Sequence, residues 1–414
     1  MFRRFALARG LKARHNKTAR IDNGNPLRRI EKKLTRGLVG GLCVASQMHK
    51  KESALQMHHD GYRKCFARPA TTERRHLFMN ARILMPAIVV LLVMGALLYA
   101  FNPTRGGAPE LEVGTVIRVG SEPVGLAVSN DGSRVYVVNA ADQTLSVVTI
   151  LEGGGSVVNV PVAKERLNSV ALSPNAQTAF VTGVEKGRVY AVDLATAKVQ
   201  GMAQTGSFPQ GIVVSSDGRY VYTADTGSNS VTEIDTVTLK RTRSIAVGER
   251  PHSLAFGPIT AGSRTLLVST FVHSIDRIDL MTGKTLNPYD LGELARFQGL
   301  EVDTDGRAYV ADGLSDLVQA FNPDGTHKGL NPGDLLKGKE FSPTDVALSS
   351  DGSRLYVVGR NGRLGVIDTV SGKLIQSLEL GGDLRQVVVS RDGRVYATDF
   401  AGNRVVTAVP VTQR

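Results

Sequence analysis

One short unit is repeated seven times in the chain, at a spacing of about 41 to 46 residues. Each copy reads as an apolar strand, a tight turn, a second strand with a large apolar side chain, a polar turn and a third strand. A repeat of this length is typical of architectures in which each unit buries its apolar faces against its neighbours. The copies begin at Gly125, Ser169, Gly211, Ser253, Gly299, Asp345 and Gln386.

The turn after the first strand is an Asp-Gly pair in five of the seven copies. Glycine supplies the positive φ that a tight turn between antiparallel strands requires. The second copy has Pro174-Asn175 at this point, and the fourth has a longer loop around Gly257, Pro258 and Gly262. The Asp-Gly pairs predict β-hairpins at 131/132, 217/218, 305/306, 351/352 and 392/393.

Large side chains recur at one point of the second strand. Because they repeat with the architecture, we expect them to pack between neighbouring units rather than to hold a cofactor. They are Tyr136, Phe180, Tyr222, Leu267, Tyr309, Tyr356 and Tyr396.

A fourth strand follows most units, as at 156–162 and 243–247, but none follows the third strand of the seventh unit. A matching segment, Val113 to Val119 (VGTVIRV), precedes the first unit instead. Pairing of this segment with the last sheet closes a ring and removes the exposed edges that an open solenoid would keep. The sequence therefore predicts an all-β, seven-bladed β-propeller over residues 113–414, with an N-terminal strand that closes the last blade.

Three of the second strands carry a recognisable tetrapeptide pattern. The segments VYVVN (135–139), AFVTG (179–183) and VYTAD (221–225) resemble the YVTN-type repeat of YncE-like exported propellers. The resemblance covers residues 113–414 and implies a seven-bladed propeller. It does not specify an activity, because similar propellers serve as binding modules, lactonases, lyases and subunits of amine dehydrogenases.

An apolar segment precedes the repeats. Residues 83–101 contain no charged side chain, and nineteen helical residues approach the roughly 30 Å thickness of a bilayer core. Arg74, Arg75 and Arg82 precede this segment, and by the positive-inside rule they keep the N-terminus cytoplasmic. We expect a single-pass signal-anchor helix in the inner membrane, a short linker at 102–112, and a propeller exported to the periplasm or cell exterior.

A cleaved signal peptide is the alternative to this membrane anchor. Cleavage requires small residues at positions −3 and −1, which Leu98 and Ala100 fit poorly.

The positive charge of the chain lies in a tail at its start. Residues 1–82 carry 20 Lys and Arg against 5 Asp and Glu, which leaves 30 against 33 for the remainder. Residues 1–78 show no sustained periodicity and predict a disordered basic tail, and Met79 is an alternative start of translation. Since the folded part is near neutral, we expect no nucleic-acid binding.

Both cysteines, Cys43 and Cys65, lie in the same tail. The propeller therefore has no disulfide, thiolate metal site or c-type haem attachment.

The face opposite the Asp-Gly turns is where propellers usually bind ligands, over the central channel. The residues just before each first-strand Gly/Ser position form a mostly polar ring there: Val124, Asn168, Gln210, His252, Gln298, Thr344 and Arg385. Arg166, Arg250 and Arg296 lie two residues earlier in three of these loops. Guanidinium groups bind carboxylates through paired donors, so this ring predicts a site for a small anion or, alternatively, a water-filled channel.

Blade 4 carries two histidines that we expect on this face. His252 and His273 are candidate catalytic residues, as an acid/base pair or as two metal ligands, and the alternative is that they are surface or channel histidines without such a role. His327 has no identifiable partner. The predicted function is therefore a binding or scaffold module for a small anionic ligand or a protein partner, and the alternatives are a lactonase- or lyase-like enzyme and a subunit of a redox complex.

Three carboxylates end second strands, at Asp225, Asp312 and Asp399, and Asn139 occupies the same position in the first unit. Converging carboxylates are possible Ca²⁺ ligands. Because the position recurs around the ring, the alternative is that each caps its own turn by accepting backbone N–H groups. No motif in the sequence calls for any other cofactor.

Overall fold

The computed structural model describes residues 110–260, 262–292, 295–330 and 341–411. The predicted tail (1–78), the alternative start at Met79, the signal anchor (83–101) and most of the linker (102–112) lie outside these ranges. Within them, no helix is long and apolar enough to cross a bilayer.

The described residues form twenty-eight strands in seven four-stranded antiparallel sheets. The first strand is β1 (Leu111–Arg118). Blade 1 comprises β2 (Pro123–Val128), β3 (Arg134–Asn139), β4 (Thr144–Leu151) and β5 (Gly154–Pro161). Blade 2 comprises β6 (Leu167–Leu172), β7 (Thr178–Gly183), β8 (Arg188–Asp193) and β9 (Lys198–Gln204). Blade 3 comprises β10 (Pro209–Val214), β11 (Tyr220–Asp225), β12 (Ser230–Asp235) and β13 (Lys240–Ala246).

Blade 4 comprises β14 (Pro251–Thr260), β15 (Ser263–Thr270), β16 (Ser274–Asp279) and β17 (Lys284–Asp290). Blade 5 comprises β18 (Phe297–Val302), β19 (Ala308–Asp312), β20 (Leu317–Phe321) and β21 (His327–Leu330). Blade 6 comprises β22 (Pro343–Leu348), β23 (Arg354–Gly359), β24 (Arg363–Asp368) and β25 (Leu374–Glu379). Blade 7 comprises β26 (Leu384–Val389), β27 (Val395–Asp399), β28 (Arg404–Pro410) and, as its outer strand, β1.

The N-terminal strand closes the ring as predicted. β1 pairs antiparallel with β28, from Leu111 opposite Pro410 to Arg118 opposite Arg404. The strand begins two residues before the predicted segment and ends one residue before its end. The first strands of all neighbouring blades contact each other, including those of blades 7 and 1. The prediction of an all-β, seven-bladed propeller is thus confirmed for the described part of the chain.

The Asp-Gly turns adopt the backbone conformation that glycine was expected to supply. The five glycines have φ between +69° and +83°. In blade 2 the turn places Ala176 at φ +52°, a left-handed conformation that costs a residue with a Cβ atom roughly 1–2 kcal/mol. We call the face with these turns the Asp-Gly face, and the opposite face the mouth face.

The hydrophobic core lies between the blades. Seven apolar clusters each join one blade to the next, and each contains one of the seven large residues predicted for this role. All seven are 5% exposed or less. Tyr396 of blade 7 packs with Leu126 of blade 1, so the same packing also seals the closure.

Every first strand has an irregular register shortly after it begins, as between Pro123 and Leu126. The residues at this point do not pair regularly with the second strand, which frees their side chains to face the central channel. Neighbouring first strands also approach closely here. A Cβ atom on Gly211 would lie 2.5 Å from the carbonyl oxygen of His252 in the next blade, so glycine is required.

Candidate functional site

The first strands enclose a central cavity of about 160 Å³ near the mouth face. The structure brings together all seven residues of the polar ring predicted from the sequence, and each of them lines this cavity. The next residue of the strand also contributes to the wall in six of the blades. The lining residues are Val124, Asn168, Ser169, Gln210, Gly211, His252, Ser253, Gln298, Gly299, Thr344, Asp345, Arg385 and Gln386.

Hydrogen bonds between blades hold several ring side chains in place. The Asn168 side-chain amide donates to the carbonyl oxygen of Gln210 (3.0 Å), and the Thr344 hydroxyl donates to that of Leu384 (2.9 Å). The Gln298 side-chain amide donates to the carbonyl oxygen of Pro343 at 3.3 Å. Side chains fixed to a neighbouring backbone are positioned before any ligand arrives.

Second-strand hydroxyls connect the blades at the same level. Thr182, Ser269 and Thr398 each accept a backbone N–H from the first strand of their own blade. Each also donates to the carbonyl oxygen of the ring residue in the next blade, at 3.4, 2.7 and 3.2 Å respectively. The third of these bridges reaches Val124 and so spans the closure of the ring.

Three arginines from consecutive blades converge on the mouth face, and we call Arg296, Arg360 and Arg385 the arginine mouth. Arg385 lines the cavity, lies 4.4 Å above the Phe400 ring and donates to Asp383 Oδ2 at 2.6 Å. Partial burial lowers the pKa of Arg360, the charges of Arg385 and Arg296 lower it further, and Asp383 opposes this fall. Arg360 is therefore close enough to both other guanidinium groups to be repelled by them.

Arg360 was not predicted from the sequence. It follows the second strand of blade 6 rather than preceding a first strand, so the loop pattern that identified Arg296 and Arg385 does not include it.

The other two arginines predicted near the channel make different contacts. Arg166 forms an ion pair with Glu122 at 2.6 Å. The exposed Arg250 lies over the Phe271 ring, with its guanidinium carbon 5.2 Å from the ring centroid.

The two blade 4 histidines have different surroundings. His252 lines the cavity and packs on Phe271 with ring centroids 4.7 Å apart. Its Nδ1 atom is buried without a hydrogen-bond partner, and burial lowers its pKa to about 4. His273 is exposed and lies 2.8 Å from Asp290 at the end of the outer strand β17. The structure shows no contact between the two histidines within the described residues.

His327, at the start of the outer strand of blade 5, packs against Phe321 with ring centroids 5.4 Å apart.

The carboxylates considered as Ca²⁺ ligands each bond within their own blade. Asp225 accepts from Thr232 Oγ1 at 2.6 Å, Asp312 from the Arg296 N–H at 3.0 Å, and Asp399 from the Asp383 N–H at 3.1 Å. Asn139 donates to the Ser146 hydroxyl in the same manner. At Asp312 and Asp399 the donors are backbone N–H groups, as in the capping alternative, whereas Asp225 and Asn139 bond to side-chain hydroxyls. In the described ranges, no group of three or more His, Cys, Asp or Glu side chains is arranged to hold a metal ion.

Two carboxyl groups near the channel were missed by the sequence analysis. Asp345 lines the cavity, is 9% exposed and accepts the Val387 N–H at 2.9 Å. Glu301 is half-buried on the first strand of blade 5. Burial and the nearby Glu301 raise the pKa of Asp345 to about 8, although hydrogen bonds from the Val387 and Val346 N–H groups oppose the rise. Burial also raises the pKa of Glu301 to about 7.

Each of these carboxyls departs from the repeat. Asp345 occupies the position that is glycine or serine in the first five units, and it fits because the neighbouring Gly299 has no side chain: a Cβ atom there would lie 2.6 Å from the Asp345 Cα. The position of Glu301 is alanine or valine in the other six units. These two departures from the repeat are the features of the sequence that could have identified Asp345 and Glu301 as candidate site residues.

Two family models match the chain. One, described as a YncE-like β-propeller, matches residues 110–312, and the other, described as outer membrane protein assembly factor BamB, matches residues 273–412. No curated protein matches the chain.

Solved structures with the same fold include hydrazine synthase from Kuenenia stuttgartiensis, with a TM-score of 0.63 and 19% identity over 72% of this chain and 98% of that one. Virginiamycin B lyase from Staphylococcus aureus has a TM-score of 0.62 and 11% identity over 73% of this chain and 100% of that one. At these identities the likeness establishes the fold alone.

Proposed function

We propose that this chain, a member of the family of YncE-like β-propellers, is a binding module that takes a small anionic ligand at the arginine mouth. A propeller of this kind offers a rigid ring of loops, and its blades bring residues distant in the sequence to one point. The proposal concerns the mouth face, where the cavity opens among preorganised polar side chains.

The observation that carries this proposal is the convergence of Arg296, Arg360 and Arg385. Three like charges held together destabilise one another, and Asp383 is the carboxylate that pairs with this group in the described structure. An anion bound among the guanidinium groups relieves that repulsion and gains charge-assisted hydrogen bonds.

The polar ring beneath the mouth supports the same conclusion. Three of its side chains, Asn168, Gln298 and Thr344, are already bonded to the neighbouring blade, so binding does not have to order them.

Replacement of the mouth arginines tests the proposal. Arg360→Gln and Arg385→Gln should each weaken binding of succinate and of inorganic phosphate about three- to tenfold, because each removes one charge-assisted contact. Isothermal titration calorimetry on the full-length chain measures the affinities. Arg391→Gln, an exposed arginine in an Asp-Gly turn, is the matched control and should bind like the unmodified protein. Equal affinity in all variants, or no binding of either anion, would contradict an anion site here.

We also propose that residues 83–101 anchor the propeller in the inner membrane and that the propeller is exported. The uncharged segment and the arginines before it support this topology. The path of the described chain is compatible with it: β1 starts opposite Pro410, which packs near Gly393 in the Asp-Gly turn of blade 7. The described chain therefore begins on the Asp-Gly face, opposite the arginine mouth.

A further inference from the structure

The central cavity has two chemically different ends. Arg385 stands at its rim with the other mouth arginines. Asp345 lies one residue further along its first strand than the ring residue Thr344, on the side toward the Asp-Gly face. Glu301 lies further in that direction on the adjacent first strand. Along the channel, the arginine mouth is thus followed by carboxyl groups.

The two carboxyls have no basic partner among the described residues. The hydrogen bond recorded for the Asp345 side chain comes from a backbone N–H, and neither Asp345 nor Glu301 forms an ion pair in the described structure. Arg385 is bonded to Asp383, and Arg296 to the Gly313 carbonyl oxygen. A buried carboxyl without a counter-charge either stays protonated or is ionised when a cation binds beside it.

His252 adds a second acceptor to the cavity wall. Its Nδ1 atom is buried and has no hydrogen-bond partner in the described structure. The ring is neutral at pH 7, since burial lowers its pKa to about 4. A neutral imidazole accepts a hydrogen bond through one nitrogen, so Asp345 and His252 together favour a ligand group that donates.

The size of the cavity limits the ligand. A volume of about 160 Å³ is below the roughly 300–1,000 Å³ of most small-molecule pockets. A molecule of that size is a metabolite-sized compound rather than a nucleotide or a peptide.

We infer that the ligand is a small amino acid whose carboxylate binds the arginine mouth and whose ammonium group enters the cavity and pairs with Asp345. This inference rests on the proposed function, because the anionic end uses the same arginines. It goes further by assigning a second pole to the site and thereby a ligand class. Both ends of such a zwitterion find opposite charges, and its short chain fits the cavity.

The charged groups around Asp345 set the expected pH dependence. Glu301 faces it across the interface of blades 5 and 6, and His252 and Arg385 share the cavity wall. Burial and Glu301 raise the pKa of the Asp345 carboxyl to about 8. Binding of an ammonium group favours the ionised carboxylate, so the affinity should rise from pH 6 to pH 8 and binding at pH 7 should release a proton.

Matched ligand series test the inference on the full-length chain. The probes are glycine, β-alanine and 4-aminobutyrate, each compared with its deaminated acid (acetate, propionate, butyrate) and its decarboxylated amine (methylamine, ethylamine, propylamine). At least one amino acid should bind at least about tenfold more tightly than both of its single-charge relatives, because a buried charge pair is worth more than that factor. Calorimetry in two buffers of different ionisation enthalpy measures affinity and proton release together.

Asp345→Asn removes the charge but keeps an acceptor for the Val387 N–H. It should reduce the affinity for the amino acid to that of the matched acid, abolish proton release and leave binding of the acid unchanged. Glu301→Gln, which lies outside the cavity lining, gives a second variant in case the first does not fold. We expect it to reduce proton release. Glu379→Gln, at an exposed carboxylate on an outer strand, is the control.

The outcomes separate the two proposals. If the acids bind but no amino acid binds more tightly, the zwitterion inference is overturned and the anion site stands. If the amines bind and the acids do not, both the anion site and the zwitterion are overturned. An amino acid that binds equally well to the Asp345→Asn variant also overturns the inference, because its ammonium group then lies elsewhere.

Discussion

Asp345 and His252 are titratable side chains on the wall of one cavity, and burial shifts their pKa values in opposite senses. Burial disfavours the charged form of each, which raises the pKa of the carboxyl and lowers that of the imidazole. Both groups are therefore mostly uncharged at pH 7. A site lined by neutral but ionisable groups changes its charge when a ligand brings its own, which is the behaviour expected of a preformed binding cavity.

The raised pKa of Asp345 predicts a pH-dependent stability difference. Between about pH 4 and pH 8 the folded chain keeps a proton that the unfolded chain releases, so this residue's contribution to the free energy of unfolding falls as the pH rises. Asp345→Asn removes that loss. Relative to the unmodified protein, its free energy of unfolding should therefore rise by about 1–3 kcal/mol between pH 5 and pH 8, or a few degrees in Tm.

Thermal unfolding of both proteins across this pH range measures the difference. His252 is present in both, so its own titration cancels. Glu379→Gln should give a constant difference, and a flat or falling difference for Asp345→Asn would show that the carboxyl is ionised in the folded protein.

At the scale of the strand, β1 packs against the rest of the propeller through one of its faces. Ile117 is 5% exposed and packs with Val135 and Tyr396 in the cluster that joins blades 7 and 1, whereas the adjacent Val116 is 52% exposed. Leu111 and Ile117 form the buried face of β1, and its other six residues are exposed or half-buried. The closing strand is stabilised by its pairing with β28 together with this buried face.

The two adjacent positions provide a matched test of closure. Ile117→Asp places a charge in an apolar interface and should lower the free energy of unfolding by about 3–5 kcal/mol. Val116→Asp makes the same chemical change on the solvent face and should cost less than about 1 kcal/mol. Urea unfolding of both full-length variants measures the difference, and similar costs at the two positions would contradict the role of β1 as the packed closing strand.

At the scale of the whole molecule, the two faces of the ring carry different features. The chain enters β1 and leaves β28 on the Asp-Gly face, while the cavity and the arginine mouth lie at the opposite face.

The proposed anchor is tested by membrane extraction. The full-length chain should remain in the membrane pellet after alkaline carbonate treatment. Leu91→Arg combined with Leu92→Arg should release it, because each charge near the centre of a membrane helix costs roughly 2.5–3.5 kcal/mol. Leu91→Ile with Leu92→Ile keeps the hydropathy and should stay in the pellet. Recovery of the unmodified chain in the carbonate supernatant would contradict the anchor.

Features that repeat with the blade could be predicted from the sequence. The Asp-Gly turns, the alternating strands and the seven interblade side chains each follow from local backbone preferences and apolar periodicity, which act within one unit. The closing strand followed from the same pattern, because Val113 to Val119 matched the strand that the seventh unit lacks. The polar ring was placed correctly around the cavity since its position in each unit is fixed by the repeat.

Relations between blades were decided by the tertiary structure. Arg360 lies near Arg296 and Arg385, and Glu301 lies near Asp345, because the ring brings separate units to one axis. The sequence pattern within a single unit does not predict which side chains of different units will be neighbours. Within blade 4, folding gives His252 and His273 different partners: His252 packs on Phe271 in the loop after β15, and His273 contacts Asp290 on the outer strand. The sequence determines the fold of the repeated unit and the number of units, through interactions between residues near each other in the chain. The closed ring determines which charges share a cavity, through packing between residues far apart.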